Sequence, residues 1–137
     1  TLAISSAASD VYKRQPKDWV HAMLTKGNDV LLELDTQGAL KVQKVFPDAK
    51  TIFIIPPSYQ ELAKRLKERA QDGEDEISRR LKEAKKEVKI GKDFDHVVLN
   101  DNFEDSLKDL ENFLLNEIKL SGPRAELTKT TLVQLLD

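Results

Sequence analysis

The sequence predicts an α/β domain built on a parallel sheet, and three observations carry that prediction. Short apolar blocks of strand length occur at residues 30–34, 51–55 and 97–99. Longer segments between and after them repeat their apolar residues at helical spacing. Turn residues separate each block from the next, and a strand, helix, strand, helix alternation is what produces parallel pairing through crossover connections. A length of 137 residues suits one domain or part of one.

Residues 1–15 open the chain with small and polar residues, Ser5, Ser6, Ala7, Ala8 and Ser9 at their centre, and show neither a helical nor a strand period. Pro16, Lys17 and Asp18 then lead into Trp19, Val20, Met23 and Leu24, an amphipathic helix with proline in its first turn, ended by Gly27 and Asn28. Val30, Leu31, Leu32, Glu33 and Leu34 read as a strand covered on both faces, closed by Asp35 and by a break at residues 36–38. Ala39, Leu40, Val42, Val45 and Phe46 form a short helical stripe that stops at Pro47.

Thr51, Ile52, Phe53, Ile54 and Ile55 make the second strand, closed by Pro56 and Pro57, which cannot continue a ladder. Ser58 with Glu61 three residues on has the capping-box spacing, so a helix follows, with Leu62 and Leu66 one turn apart. A polar break at residues 71–76 separates it from a second long helix bearing Ile77, Leu81, Ala84 and Val88, punctuated by Gly91. Val97, Val98 and Leu99 form the third strand. Phe103, Leu107, Leu110, Leu114 and Ile118 form a helical face, stopped by Ser121, Gly122 and Pro123, and a short last helix is expected over residues 126–136.

Composition narrows the function. Twenty-two Lys and Arg against 24 Asp and Glu leave a net charge of −2, which argues against a nucleic-acid or membrane-surface partner. No apolar run approaches the roughly 20 residues that span a bilayer, and with no cysteine there is neither a disulfide nor a thiolate site, so a cytoplasmic setting is expected. His21 and His96 have no partner at metal-ligand spacing.

Ligands of parallel sheets sit outside the carboxyl ends of the strands, which points to residues 35–38, 56–58 and 100–101. Asp35 ends a strand with Gly38 three residues on, so its carboxylate meets either a nucleotide or metal ion in the crevice or, more simply, the turn that it caps. Arg65 and Arg69 are four apart on one helix face, and Arg80 stands across the polar break. Three guanidinium forks on two hinged helices suit a phosphate chain. The same residues also suit an ordinary solvated face laced with surface ion pairs.

Taken in series, the strings Asp29 to Ala39, Phe46-Pro47-Asp48-Ala49, Ile52 to Ser58, Arg65-Leu66 with Arg69, Ile77 with Arg80-Leu81, and Val97-Val98-Leu99-Asn100-Asp101 resemble guanylate kinase. The resemblance runs from Pro16 to the end of the chain. It implies a P-loop NTPase-type three-layer parallel sheet with helices on both faces and a helical lid at about residues 66–80. It also implies transfer of the γ-phosphoryl group of Mg-ATP to GMP in purine nucleotide metabolism, with Mg²⁺ carried as Mg-ATP. By the same resemblance Arg65, Arg69 and Arg80 are catalytic, phosphate-contacting arginines, Asp35 and Gly38 lie near GMP and, indirectly, the metal, and Asn100 lies beside adenine with Arg65 and Arg69 on the ATP side.

The departures set further expectations. The family opens with a strand and a G-x-x-x-x-G-K-[ST] loop, neither of which is evident here, and the GMP-recognising region does not precede Pro16. Residues 1–15 are therefore expected to be a leader foreign to a partial domain at 16–137, with the sheet incomplete at its N-terminus and the isolated chain inactive. Residues 70–73 depart from a common glycine-threonine pattern in the lid. The alternative functional class is a non-catalytic guanylate kinase-like protein-binding module; a third is a related kinase of another small phosphorylated acceptor. Retention of all three arginines favours the catalytic branch, since a module with no ATP to clamp has no need of them.

Overall fold

Alternation along one buried strand sets the layers. The computed structural model describes residues 2–5, 17–70 and 73–137. Their elements are β1 (Leu2–Ser5), α1 (Lys17–Thr25), β2 (Leu31–Leu34), α2 (Thr36–Val45), β3 (Lys50–Ile55), α3 (Tyr59–Ala70), α4 (Glu74–Gly91), β4 (His96–Leu99), α5 (Phe103–Asn116) and α6 (Gly122–Leu136). Phe53 and Ile55 of β3 pack with Ala39, Val88, Phe94, Leu99 and Leu135, whereas Ile52 and Ile54 face the other way onto Phe113, Leu110 and Leu114 of α5. Because successive strand residues point to opposite faces, α2, α4 and α6 cover one face and α5 the other. A third cluster closes the β2 end, where Val20, Met23 and Leu24 of α1 meet Leu32, Leu34, Val42 and Phe46.

All four strands are parallel, in the order β2-β1-β3-β4. The middle place beside β2 thus belongs to β1, inside the stretch where no strand was expected. Four residues, Leu-Ala-Ile-Ser, are too few to display a two-residue period, and a central parallel strand needs none, since both its faces are covered. The position between β2 and β3 is filled, contrary to the expectation that the chain holds no opening strand. Residues 6–16 lie outside the described residues, and so do residues 71 and 72 of the expected lid.

Four further expectations are corrected. The strand expected at residues 30–34 is not covered on both faces: among the described residues β2 is an edge, its burial alternates, and Leu31 is 62% exposed while Leu32 and Leu34 are buried. The break at residues 36–38 is the first turn of α2, with Asp35 as its N-cap. The face of α5 that packs is centred on Phe113; Phe103 is 77% exposed, and the helix ends at Asn116 because Glu117 turns left-handed at φ 53°, which carries Ile118 off the stripe. Pro123 begins a helix and ends none: Ser121 is the N-cap of α6, and a proline with no N–H to donate costs nothing in a first turn.

Gly91 is the last residue of α4 for a packing reason. A Cβ there would lie 2.3 Å from Cγ of Phe53, so only glycine lets α4 close onto β3.

Candidate functional site

The carboxyl ends of β2, β3 and β4 bring three short segments to one edge of the sheet. At the first, Asp35 has extended backbone and its Oδ1 accepts the Gly38 N–H at 2.6 Å, satisfying one of the free amides of α2. A Cβ at Gly38 would sit 2.8 Å from Asp35 Oδ1 and 3.3 Å from Leu34 Cβ, so glycine leaves the capping carboxylate room without any shift. Oδ2 of Asp35 has no hydrogen-bond partner among the described residues. Thr36 donates its N–H to Glu87 Oε2 of α4 at 3.0 Å, so a second carboxylate serves the same helix end. The Thr36 hydroxyl, fully buried beside it, has no hydrogen-bond partner among the described residues.

At the second segment Ser58 Oγ accepts the Glu61 N–H at 3.0 Å, the capping bond expected from the sequence. The Glu61 carboxylate accepts from Arg65 Nε at 3.1 Å. At the third, the Asn100 N–H donates to Ile55 O at 2.8 Å, and Arg65 Nη1 donates to Asn100 O at 2.9 Å. Both main-chain groups of Asn100 are therefore held, while its exposed carboxamide has no partner among the described residues. Arg124 of α6 grips the next residue: Nη1 and Nη2 donate to the two carboxylate oxygens of Asp101 at 2.6 and 2.8 Å, Nε to Asp109 at 2.8 Å, and Nη2 also to Leu99 O at 3.0 Å. That fork is the main reason the Asp101 carboxyl is held below its usual range.

The other two arginines expected at phosphate take different places. Arg69, near the end of α3, is exposed and has no hydrogen-bond or ion-pair partner among the described residues. Arg80 donates to Glu76 at 3.3 Å, and the neighbouring Arg79 pairs with Glu76 and Glu83 at 2.5 and 2.6 Å. Hydrogen bonds from Arg79 first and Arg80 second hold the Glu76 carboxyl down to about 2. The structure thus gathers Asp35 with Gly38, and Arg65 with Asn100; among the described residues it links Arg80 to the Asp35 turn along α4, through Glu87.

Sequence reasoning missed Glu87, Arg124 and Asp109. The first carried a signal, seven residues beyond Arg80 and so on the same helical face; nothing in the local string marks the other two. His96 is packed into the core: it stacks on Phe113 at 4.2 Å, and its buried Nε2 has no hydrogen-bond partner among the described residues. No group of three acidic or histidine residues among the described residues could hold a metal ion. Two open depressions, the larger about 410 Å³ and lined by Lys50, Asp95 and Lys119 among others, lie at the amino-terminal edge of the sheet, away from these three segments.

The family model for guanylate kinase matches residues 4–117. The chain belongs to the guanylate kinase family. The match takes in two of the four residues of β1. Among similar proteins, guanylate kinase of Hahella chejuensis is 45% identical over 104 residues, covering 75% of this chain and 50% of its own. That of Synechococcus sp. is 46% identical over 99 residues, covering 72% and 46%. That of Coxiella burnetii is 41% identical over 130 residues, covering 87% and 63%. The chain spans about half the length of the curated relatives it matches. The crystal structure of guanylate kinase from Anaplasma phagocytophilum shares the fold, with a TM-score of 0.55 at 20% identity over 94% of this chain and 93% of that one.

Proposed function

We propose that this chain carries the lid and the ATP-side half of a guanylate kinase, which transfers the γ-phosphoryl group of Mg-ATP to GMP and yields ADP and GDP. The observation that carries the reading is the main chain of Asn100, fixed by Ile55 and Arg65 with its carboxamide left open, at the same sheet edge as the capped carboxylate of Asp35. In the reaction the bond from Pγ to the β,γ-bridging oxygen breaks and a bond from Pγ to an oxygen of the GMP phosphate forms. Little covalent work falls to the protein, so placement and charge supply the rate. Arg69 and Arg80 lie on the phosphates, Arg65 braces the adenine-side loop and reaches the same phosphates, and Asn100 reads the base. Mg²⁺ arrives with ATP; Asp35, with Oδ2 unengaged, is the carboxylate that meets its coordination sphere beside GMP, and Gly38 keeps the turn small enough to allow this.

We place β1 as the opening strand of a P-loop NTPase-type sheet, on the ground that it lies between β2 and β3 with its carboxyl end at the site. The string G-x-x-x-x-G-K-[ST] does not occur in the 137 residues, so the amide cradle for the triphosphate is missing and the chain by itself does not turn over. The enzyme works in the cytoplasm. No observation favours the scaffold-module reading.

The test joins residues 17–137 to the upstream half of the Hahella chejuensis relative and follows ADP formation. GMP-dependent ADP release, absent from the unjoined chain, is the expected result. A folded chimera that forms no ADP with GMP would refute the reading, and turnover by the chain alone would refute the argument from the missing cradle.

A further inference from the structure

The loop after β4 is held by two arginines from two different helices, and only one of them was expected. Arg65 comes from α3 and spends its fork on main-chain oxygens, Asn100 O at 2.9 Å and Asp101 O at 3.5 Å. Arg124 comes from α6 and engages Asp101 with both terminal nitrogens, Asp109 with Nε, and Leu99 O with Nη2. The Asp109 side chain is 8% exposed and that of Arg124 20%, so this junction is largely shielded from water. A guanidinium is planar and matches a carboxylate with two parallel bonds, which fixes orientation as well as distance; an ammonium cannot do so. Asp101 accepts the Asn102 N–H as well, and Asn102 caps α5. The whole turn from Leu99 to Asn102 is thereby set by a residue 22 or more positions later in the chain.

We propose that Arg124 is a positioning residue for nucleotide binding, holding Asp101 so that the neighbouring Asn100 presents its carboxamide to the adenine base. This rests on the proposed function for the identity of the ligand. Arg124 does not touch the nucleotide; it acts through Asp101. The carboxamide of Asn100 offers two donors and one acceptor, and such a group discriminates a base edge only when its backbone cannot drift, which is the condition that the two arginines impose.

The test uses the full 137-residue chain and the variants Arg124→Lys and Asp101→Asn. The second leaves the Arg124 to Asp109 pair intact, so no buried charge is stranded and the chain still folds. Two readouts separate the parts. Amide hydrogen exchange at Asn100, without nucleotide, reads the clamp: loss of the bidentate pair is expected to speed it about tenfold while Ile54 and Val98 in the β3–β4 ladder stay protected. Titration with ATP and with inorganic tripolyphosphate reads the base: ATP binding is expected to weaken about tenfold, with tripolyphosphate binding changed less than about twofold. Unchanged exchange at Asn100 in both variants would overturn the clamp, and an equal loss for both ligands would overturn the positioning role. If the unaltered chain binds tripolyphosphate as tightly as ATP, the proposed base site fails on its own account, while the exchange measurement still decides whether Arg124 sets the loop.

Discussion

Replacing Gly91 by alanine tests how α4 is seated. The added Cβ would stand 2.3 Å from Cγ of Phe53 and 2.5 Å from each Cδ, against 3.4–4 Å for ordinary contact, so one side must give by about 1 Å. Phe53 cannot give freely: it is buried, lies edge-on to Phe94 at 5.9 Å, and shares its cluster with Val88 and Leu135. Overpacking of this kind costs about 1–3 kcal/mol. Alanine recovers up to about 1 kcal/mol in a helix interior, and less in a last turn. The net loss is therefore about 1–2 kcal/mol, a fall in Tm of roughly 3–8 °C for a domain of this size. Thermal and urea melts of Gly91→Ala measure it directly. The variant Phe53→Leu removes the ring, and on that background Gly91→Ala is expected to cost at least about 1 kcal/mol less than it does alone. A melt at or above that of the parent chain, or the same loss with and without the ring, would refute the close-approach argument.

Asp35 separates a structural role from a chemical one. Asp35→Ala removes the cap on Gly38 and is expected to lose about 1 kcal/mol, whereas Asp35→Asn keeps the acceptor and melts within about 0.5 kcal/mol of the parent, yet slows ADP formation in the chimera; equal rates for Asn and Asp would dismiss the carboxylate from the reaction. Burial holds the His96 imidazole below its ordinary 6.5, with Asp109 opposing in part, so the unfolded chain takes up a proton that the folded chain refuses. Stability should then be full above about 6.5 and decline as pH falls below it, a slope that His96→Gln removes when melts are run from pH 8 to 5. The Asp101 carboxyl, lowered from 3.8 by Arg124, contributes stability that is lost only as pH falls through 3.8 and below, so the two groups occupy separate windows. In the chimera, Arg80→Met should cut kcat about 100-fold or more with the melt unchanged; a rate within threefold of the parent would remove Arg80 from the phosphates.

Long periodic segments were legible from the sequence because their signal repeats. The stripe of α4, Ile77, Leu81, Ala84 and Val88, reads as a helix because several residues agree on one period, and Thr51 to Ile55 reads as a strand because an unbroken apolar run of strand length is closed by two prolines. β1 was invisible for the opposite reason: its four residues gain their place from register with β2 and β3, which is a property of the sheet and not of the string. Coverage of β2 was misjudged likewise, since an apolar run does not say whether its strand is central or at an edge. At the site, Asp35 and Gly38 could be paired from spacing alone, as a cap is a local interaction. Arg124 could not: its three partners lie 15 to 25 positions away and meet it only because α6 returns to the end of β4.

One rod carries three of the contacts that matter, and its geometry limits how the proposed lid moves. Arg80, Ala84, Glu87, Val88 and Gly91 fall at i, i+4, i+7, i+8 and i+11, one face of α4. At about 1.5 Å per residue, Arg80 lies about 10 Å from Glu87 and Gly91 about 6 Å beyond it. Glu87 is bonded to Thr36, and Gly91 is seated on Phe53. If α4 swung as a rigid unit to bring Arg80 onto phosphate, it would tear Glu87 from the α2 terminus and lift Gly91 from the core. The inexpensive motion stops short of Ala84. Its moving part is the amino-terminal end of α4, residues 74–83, where Arg79 is held by pairs to Glu76 and Glu83 that are exposed and therefore weak. Glu87 anchors the carboxyl-terminal half of the helix to the turn that holds Asp35, so on the proposed reading the distance from Arg80 to phosphate would be closed by a bend within α4 and not by a shift in the seat of the helix on the sheet.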